Sequence, residues 1–101
     1  MSITIGGYNF EGPFSSESQL RSASGVYVIL GRSGNTNPWN VVDIGESAEV
    51  QNRVSTHDRA ACWKRRGHSV LSVAVLYVSG AQRTQVEQHL RNQYKPPCGE
   101  R

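Results

Sequence analysis

Runs of apolar residues predict three β-strands in this chain. Residues 25–30 are rich in β-branched and aromatic side chains and follow a cluster of Ser and Gly, a pattern typical of a strand. Residues 41–44 predict a second strand, and residues 31–40, with two Gly, three Asn and one Pro, predict the loop between them. The two strands are therefore expected to form a long antiparallel hairpin. Residues 70–78, the most apolar stretch, predict a buried third strand.

Two further segments have the periodicity of amphipathic helices. Apolar residues recur at helical spacing over residues 48–64, after Ser47, which is a suitable cap, and predict one continuous helix. Ser79 and Gln82 form the pattern of a capping box and predict the start of a second helix. Because Pro96 cannot continue a helix, the second helix is expected to end before it.

The order of these elements predicts an α+β fold with a small, three-stranded, mainly antiparallel sheet flanked by helices. A length of 101 residues is enough for a single domain. Residues 1–24 are rich in Gly, Ser and Glu and contain Pro13, so we expect a short extended piece around residues 3–5 followed by loop. Residues 25–101 are expected to form the domain proper.

The composition argues against several classes of protein. Hydrophobic residues make up 37% and charged residues 19% of the chain, an ordinary globular mixture. The longest apolar run, residues 73–78, is far shorter than the roughly 20 residues that a membrane helix needs. The first ten residues show no basic start followed by an apolar run, so no secretory signal is expected. Two cysteines, Cys62 and Cys98, are too few for a disulfide scaffold, and we expect free thiols in a reducing, cytoplasmic setting.

Positive charge is concentrated between residues 53 and 66, where five basic side chains face one acid, Asp58, for a net charge of +4. The five are Arg53, Arg59, Lys64, Arg65 and Arg66. Such a cluster suits a polyanion, so we expect Arg59, Lys64, Arg65 and Arg66 to contact the backbone of a nucleic acid. The alternative is that the last three cations only complement the dipole at the end of a helix.

Three residues have the chemistry of a hydrolytic site. Arg53 and His57 are four apart, so a helix would place one above the other. An arginine offers a fixed fork of donors to an anionic transition state, and a histidine can transfer a proton. Glu87 is a carboxylate of the kind that binds Mg²⁺. His57 and Glu87 also have ordinary explanations, because His57 would fit an apolar core and Glu87 the exposed face of a helix.

Taken in order, these residues resemble the GIY-YIG nuclease family. Gly25-Val26-Tyr27 resembles its first motif, and Asp43-Ile44-Gly45 stands where its second motif is expected. Arg53, His57 and Glu87 match the positions of its catalytic arginine, its His or Tyr, and its metal-binding glutamate. The resemblance extends from about residue 25 to residue 99, or three quarters of the chain.

The resemblance implies a metal-dependent endonuclease that hydrolyses phosphodiester bonds in DNA with one Mg²⁺ or Mn²⁺ ion. Glu87 would bind the metal, and Tyr27 would accept or relay a proton from the attacking water. Arg53 would stabilise charge on the phosphate oxygens, and His57 would orient the water. So short a chain leaves open a structure-selective or weakly specific nuclease, or one that acts as a homodimer or with a partner protein.

Two positions depart from the family. Asp43 replaces a tyrosine, and Gly99 stands where an asparagine is usual. Strand alternation would place Val41 and Asp43 on one face, so we expect Asp43 to share a groove with Tyr27 and to act as a base or a water-mediated metal ligand. The alternatives are a catalytically weakened nucleic-acid-binding module of the same fold and an unrelated basic interaction domain.

Overall fold

The computed structural model describes residues 1–34, 36–57 and 59–98, so Gly99 lies outside the described residues. Its elements, in chain order, are β1 (Ser2–Ile5), β2 (Tyr8–Phe14), a 3₁₀ turn (Glu17–Gln19), β3 (Gly25–Arg32), β4 (Asn40–Ser47), α1 (Val50–Ser55), α2 (Ala60–Arg65), β5 (Val70–Tyr77) and α3 (Gly80–Tyr94). Within the described ranges, no helix is both long and apolar enough to cross a membrane.

The strands form one antiparallel sheet in the order β1-β2-β5-β3-β4. The α+β class, the hairpin of β3 and β4, and the third predicted strand, β5, are therefore confirmed. The expectation of a three-stranded sheet is wrong, because β1 and β2 extend the sheet beyond β5. The extended piece around residues 3–5 is present as β1, whereas residues 8–14 form a strand instead of the expected loop.

Strand β2 escaped prediction because it contains Pro13, a residue that usually argues against a strand. The register between β2 and β5 shifts between Glu11 and Phe14, and Pro13 lies within this irregularity. A proline lacks the N–H that a regular ladder needs, so an interrupted ladder accommodates it. Near the start of β2, the buried side chain of Phe10 packs in the core that lies on one face of the sheet.

Two apolar cores lie on opposite faces of the sheet. Val28, Ala74 and Leu90 belong to the core that α3 covers. Tyr27, Val50 and Trp63 belong to the core on the opposite face, where α1 and α2 pack. Burying both faces of the sheet removes apolar surface from water, and it brings helices from both sides to the edge strand β4.

The single helix predicted over residues 48–64 is two short helices, α1 and α2. The hydroxyl groups of Ser55 and Thr56 both donate hydrogen bonds to the carbonyl of Asn52, which competes with continuation of the helix. Ser47 is not the cap, since α1 begins after Glu49, although the Ser47 hydroxyl accepts from the Glu49 N–H. His57 therefore lies between the helices, and it is not stacked over Arg53 on one helix.

Helix α3 begins where the sequence predicts, but its cap differs from a capping box. The Ser79 hydroxyl does not accept from an amide of the first turn, and instead pairs with Gln82 Oε1 at 3.3 Å. The Ser79 carbonyl accepts from the N–H groups of Gln82 and Arg83. The start of the helix was therefore predictable, while its side-chain pattern was not.

Cys62 and Cys98 form a disulfide, so the expectation of two free thiols is wrong. The bond joins α2 to the segment that follows α3, and the Cys98 N–H also donates to the carbonyl of Val42 on β4. The sequence offered no spacing that would pair two cysteines 36 residues apart. Because disulfides persist mainly in oxidising compartments, the argument for a cytoplasmic setting loses its basis, and the cytoplasmic location stays a prediction.

Candidate active site

Tyr27 occupies the middle of the sheet, on β3 between β4 and β5, and only 1% of it is exposed. Its cross-strand partner on β4 is Gly45. A Cβ atom on residue 45 would overlap the Tyr27 hydroxyl, far inside van der Waals contact. Glycine at this position therefore makes room for the phenol, which explains one residue of the Asp43-Ile44-Gly45 motif in physical terms.

The Tyr27 hydroxyl faces a polar cavity of about 280 Å³ at the edge of the sheet. Besides Gly45, its wall consists of Tyr27, Glu46, Arg53, Arg59, Thr84 and Glu87. These residues come from β3, β4, α1, the start of α2 and α3, so only the folded chain brings them together. Two cations, two carboxylates and two hydroxyl groups make this a site for a charged, oxygen-rich ligand.

His57 lies directly behind Tyr27 and is buried, with 6% of it exposed. Its Nε2 atom is 2.7 Å from the Tyr27 hydroxyl oxygen, and its Nδ1 atom accepts from the Arg59 N–H at 3.0 Å. Because Nδ1 accepts, the ring proton is on Nε2 in the neutral imidazole. His57 therefore donates to the phenol oxygen and is both a core residue and part of the site.

The environment of Tyr27 raises the pKa of its phenol to about 12. Burial is the largest cause, because it disfavours the charged tyrosinate, and the nearby Asp43 carboxylate acts in the same direction. The guanidinium groups of Arg53 and Arg59, and a hydrogen bond from Arg53, oppose the rise. The phenol is therefore neutral near pH 7, and additional positive charge in the cavity would favour its ionisation.

The Tyr27 phenol is expected to ionise only at strongly alkaline pH, since its pKa is raised to about 12. Below its ordinary pKa of 10.0 the neutral phenol contributes its full share to stability, and this share is lost as the pH rises from 10.0 to about 12. The tyrosinate absorbance should show a step near pH 12 that is missing in Tyr27→Phe. An absorbance step near pH 12 that persists in Tyr27→Phe would contradict this expectation.

Asp43 lies beneath the cavity and is completely buried. Its carboxylate accepts five hydrogen bonds: from the Arg59 Nε and Nη2 atoms at 2.8 and 3.2 Å, from Trp63 Nε1 at 2.7 Å, from Arg91 Nη2 at 3.0 Å, and from the Ile44 N–H at 2.8 Å. A carboxylate has about four lone-pair positions, so the donors around Asp43 occupy them all. The residue joins α2 and α3 at the edge of the sheet.

The face of Asp43 follows from the register of β4. Asp43 pairs with Ile29 and Gly45 with Tyr27, so Asp43 shares the face of Tyr27, as predicted. The expectation that Val41 and Asp43 share a face is wrong, because Val41 packs against the core that α3 covers, on the other face of the sheet. The register shifts opposite Ile29 and Leu30, and this irregularity breaks the alternation at Val42.

Glu87 projects from α3 into the cavity wall and is buried, with 6% of it exposed, so it is not an ordinary surface residue. Its Oε2 atom lies 3.5 Å from Arg91 Nε, one helical turn later. Within the described ranges, no three His, Cys, Asp or Glu side chains cluster to hold a metal ion. Glu87, Glu46 and Thr84 all line the cavity and offer the oxygen ligands that Mg²⁺ prefers, and Glu46 Oε2 also pairs with Arg83 Nε at 3.3 Å.

The predicted nucleic-acid contacts divide into two groups. Lys64, Arg65 and Arg66 are exposed at the end of α2. Arg59 is only partly exposed, and it forms an ion pair with Asp43 while lining the cavity. Arg59 thus belongs to the site itself, and the other three form a basic surface next to it in the chain.

Of the predicted catalytic and metal residues, the structure places Tyr27, Arg53 and Glu87 on the cavity wall. His57 and Asp43 lie behind it. Three contributors were missed in the sequence: Glu46, Thr84 and Arg91. Glu46 directly follows the second motif, and Arg91 follows Glu87 at i+4, so their spacing was a usable signal.

Comparison of the chain with protein families, with curated proteins and with solved structures finds no match.

Proposed function

We propose that this protein is a metal-dependent endonuclease of the GIY-YIG type that hydrolyses phosphodiester bonds in DNA. The observation that carries the proposal is the meeting of Tyr27, Arg53 and Glu87, from β3, α1 and α3, on the wall of one polar cavity. The three were selected in the sequence by the resemblance to the GIY-YIG family. An unrelated interaction domain would give no reason for them to converge.

The two arginines of the cavity suit a phosphodiester. Arg53 and Arg59 both line the cavity, and the positive charge of each lowers the pKa of the Tyr27 phenol. A guanidinium offers two parallel donors to phosphate oxygens and stays charged at any relevant pH. In the proposed reaction Arg53 stabilises the charge that develops on the phosphate oxygens, and Arg59, held by Asp43, adds a second positive charge.

Tyr27 and His57 form the proton-handling pair of the proposed reaction. The phenol oxygen receives hydrogen bonds from His57 Nε2 and from Arg53, and both donors favour the tyrosinate. The phenol O–H is left to donate to a ligand oxygen in the cavity. In the proposed relay, Tyr27 gives this proton to a phosphate oxygen as it accepts the proton of the attacking water, and the hydrogen bond from His57 holds the phenol oxygen in place.

Glu87, with Glu46 and Thr84 beside it, would hold the Mg²⁺ or Mn²⁺ ion. When bound, such an ion supplies positive charge to the scissile phosphate and to the leaving oxygen. Glu87 is held in a nearly buried position by the salt bridge to Arg91, so its carboxylate is oriented before a ligand arrives. The same charge would lower the pKa of the Tyr27 phenol.

The competing proposal is a nucleic-acid-binding module of the same fold with weakened chemistry. It is favoured by Asp43, which brings a fully hydrogen-bonded carboxylate to the position where the resemblance calls for a phenol. Such a carboxylate has no lone pair left for a proton or a metal. We therefore propose no base or ligand role for Asp43, and assign cleavage to Tyr27, Arg53, His57 and Glu87.

Metal-dependent cleavage of supercoiled plasmid DNA tests the two proposals directly. The wild-type protein is expected to nick plasmid with Mg²⁺ or Mn²⁺ and to stop when EDTA is added. Glu87→Gln, which keeps the shape but removes the charge of the carboxylate, should lose this activity. Glu17→Gln, a matched change at an exposed position, should keep it. DNA binding without cleavage by the wild type would favour the weakened module.

The exposed basic surface predicts a salt-dependent contact with DNA. Lys64, Arg65 and Arg66 can be removed together by substitution with Gln. The negative slope of log K against log salt should then become shallower by nearly one for each phosphate that the protein no longer neutralises. These side chains are exposed, so the fold should tolerate the change. An unchanged slope, measured by fluorescence anisotropy of a labelled duplex, would leave the three residues as a helix terminus only.

A further inference from the structure

Arg91 links the buried Asp43 carboxylate to Glu87. Its Nη2 atom donates to Asp43 Oδ1 at 3.0 Å and also to the carbonyl of Ile44, while its Nε atom lies 3.5 Å from Glu87 Oε2. The side chain of Arg91 is 11% exposed, that of Glu87 8% and that of Asp43 0%. Three charged side chains thus form a nearly buried series that runs from β4 to the cavity wall.

The planarity of the guanidinium makes this series directional. Because Asp43 and the Ile44 carbonyl fix Nη2, the plane of the group and the position of its Nε atom are fixed as well. The Nε atom lies 3.5 Å from Glu87 Oε2, one turn earlier on α3, and this contact is an ion pair and not a hydrogen bond. A lysine would carry the same charge on a single ammonium group. It could not contact Asp43 and Glu87 through two nitrogen atoms of one rigid plane.

We propose that Arg91, held by Asp43, is a positioning residue that orients the Glu87 carboxylate for a divalent cation in the cavity. The inference rests on the proposed function, since it takes Glu87 as the metal ligand. It gives Asp43 a positioning role in place of the predicted catalytic one. Carboxylates that ligate metals are in general oriented by the groups they contact outside the metal's own ligands, and loss of such a group weakens metal affinity.

Arg91→Lys tests the inference because it keeps the charge and removes the fork. Mn²⁺ binding, followed by electron paramagnetic resonance, should weaken about 10–100-fold in this variant. Arg21→Lys is the matched control, because Arg21 is exposed and pairs with Glu11, which does not line the cavity. Circular dichroism would verify that both variants are folded. An Mn²⁺ affinity of folded Arg91→Lys equal to that of the wild type would overturn the inference.

Two further measurements distinguish this inference from the proposed function. They also test it if the Arg91→Lys variant does not fold. Glu87→Gln should lose Mn²⁺ binding, and unchanged binding would overturn the metal site itself and with it the role of Arg91. In the wild-type protein, the assigned Arg91 Nε–H nuclear magnetic resonance signal should shift when Mg²⁺ is added. If Mg²⁺ binds through Glu87 and this signal does not move, Arg91 is not coupled to the ligand and the inference fails.

Discussion

Arg53→Ala is expected to lower the single-turnover rate of DNA cleavage about 10²–10³-fold, the usual cost of losing one preorganised donor to a transition-state charge. Arg53 lines the cavity and donates a hydrogen bond to the Tyr27 phenol. Its removal deprives the phosphate of a fork of donors. It also removes a charge that lowers the pKa of Tyr27, so the phenol becomes harder to ionise.

Two companion variants sharpen this test. Arg53→Lys keeps the charge but loses the paired donors, so it should recover only part of the rate. Arg21→Ala removes an exposed arginine that does not line the cavity, and it should cleave at the wild-type rate. The measurement uses saturating protein over a labelled duplex, which separates the chemical step from binding. A rate for Arg53→Ala within a factor of two of the wild type would contradict the proposed role.

Loss of the Cys62–Cys98 disulfide is expected to lower the free energy of unfolding by about 4 kcal/mol, following the chain-entropy relation for a loop of this size. The bond closes a loop between cysteines 36 residues apart. It also anchors α2, a helix of six residues that would be marginal without tertiary support. A loss of this size is a large fraction of the stability of a domain of about 100 residues.

Urea unfolding with and without a reductant measures this contribution. The midpoint of the wild-type protein should fall when the bond is reduced. Cys62→Ala/Cys98→Ala should start from the lower midpoint and should not respond to reductant. A wild-type midpoint that does not change on reduction would contradict the assigned contribution of the bond. Trp63, next to Cys62, donates a hydrogen bond to Asp43. Loss of the disulfide is therefore also expected to lower cleavage activity.

Asp43 shows where reasoning from one sequence stops. The register of β4 and β3 places Asp43 on the side of Tyr27. What alternation could not indicate is that Arg59, Arg91 and Trp63 would converge on the carboxylate from two helices. Those donors are 16 to 48 residues away along the chain, and no local pattern encodes their approach.

Local chemistry was enough to predict the elements that carry the site. Periodicity and β-branched content located β3, β4, β5 and α3, because these signals depend only on neighbouring residues. The positions of these elements follow from short-range preferences, which the sequence contains directly. The resemblance to the GIY-YIG family, and not any local pattern, selected Tyr27, Arg53 and Glu87, which share the cavity wall.

Tertiary structure alone decided the place of β1 and β2 in the sheet, the disulfide, and the burial of Asp43 and Glu87. Each depends on partners that are distant in sequence. Pro13 is tolerated because the ladder of β2 with β5 is interrupted there, and Glu87 is buried because Arg91 and the cavity wall receive it. Burial and pairing are properties of the packed chain. The residue types indicated which chemical roles were possible, and the fold determined which side chains come into contact.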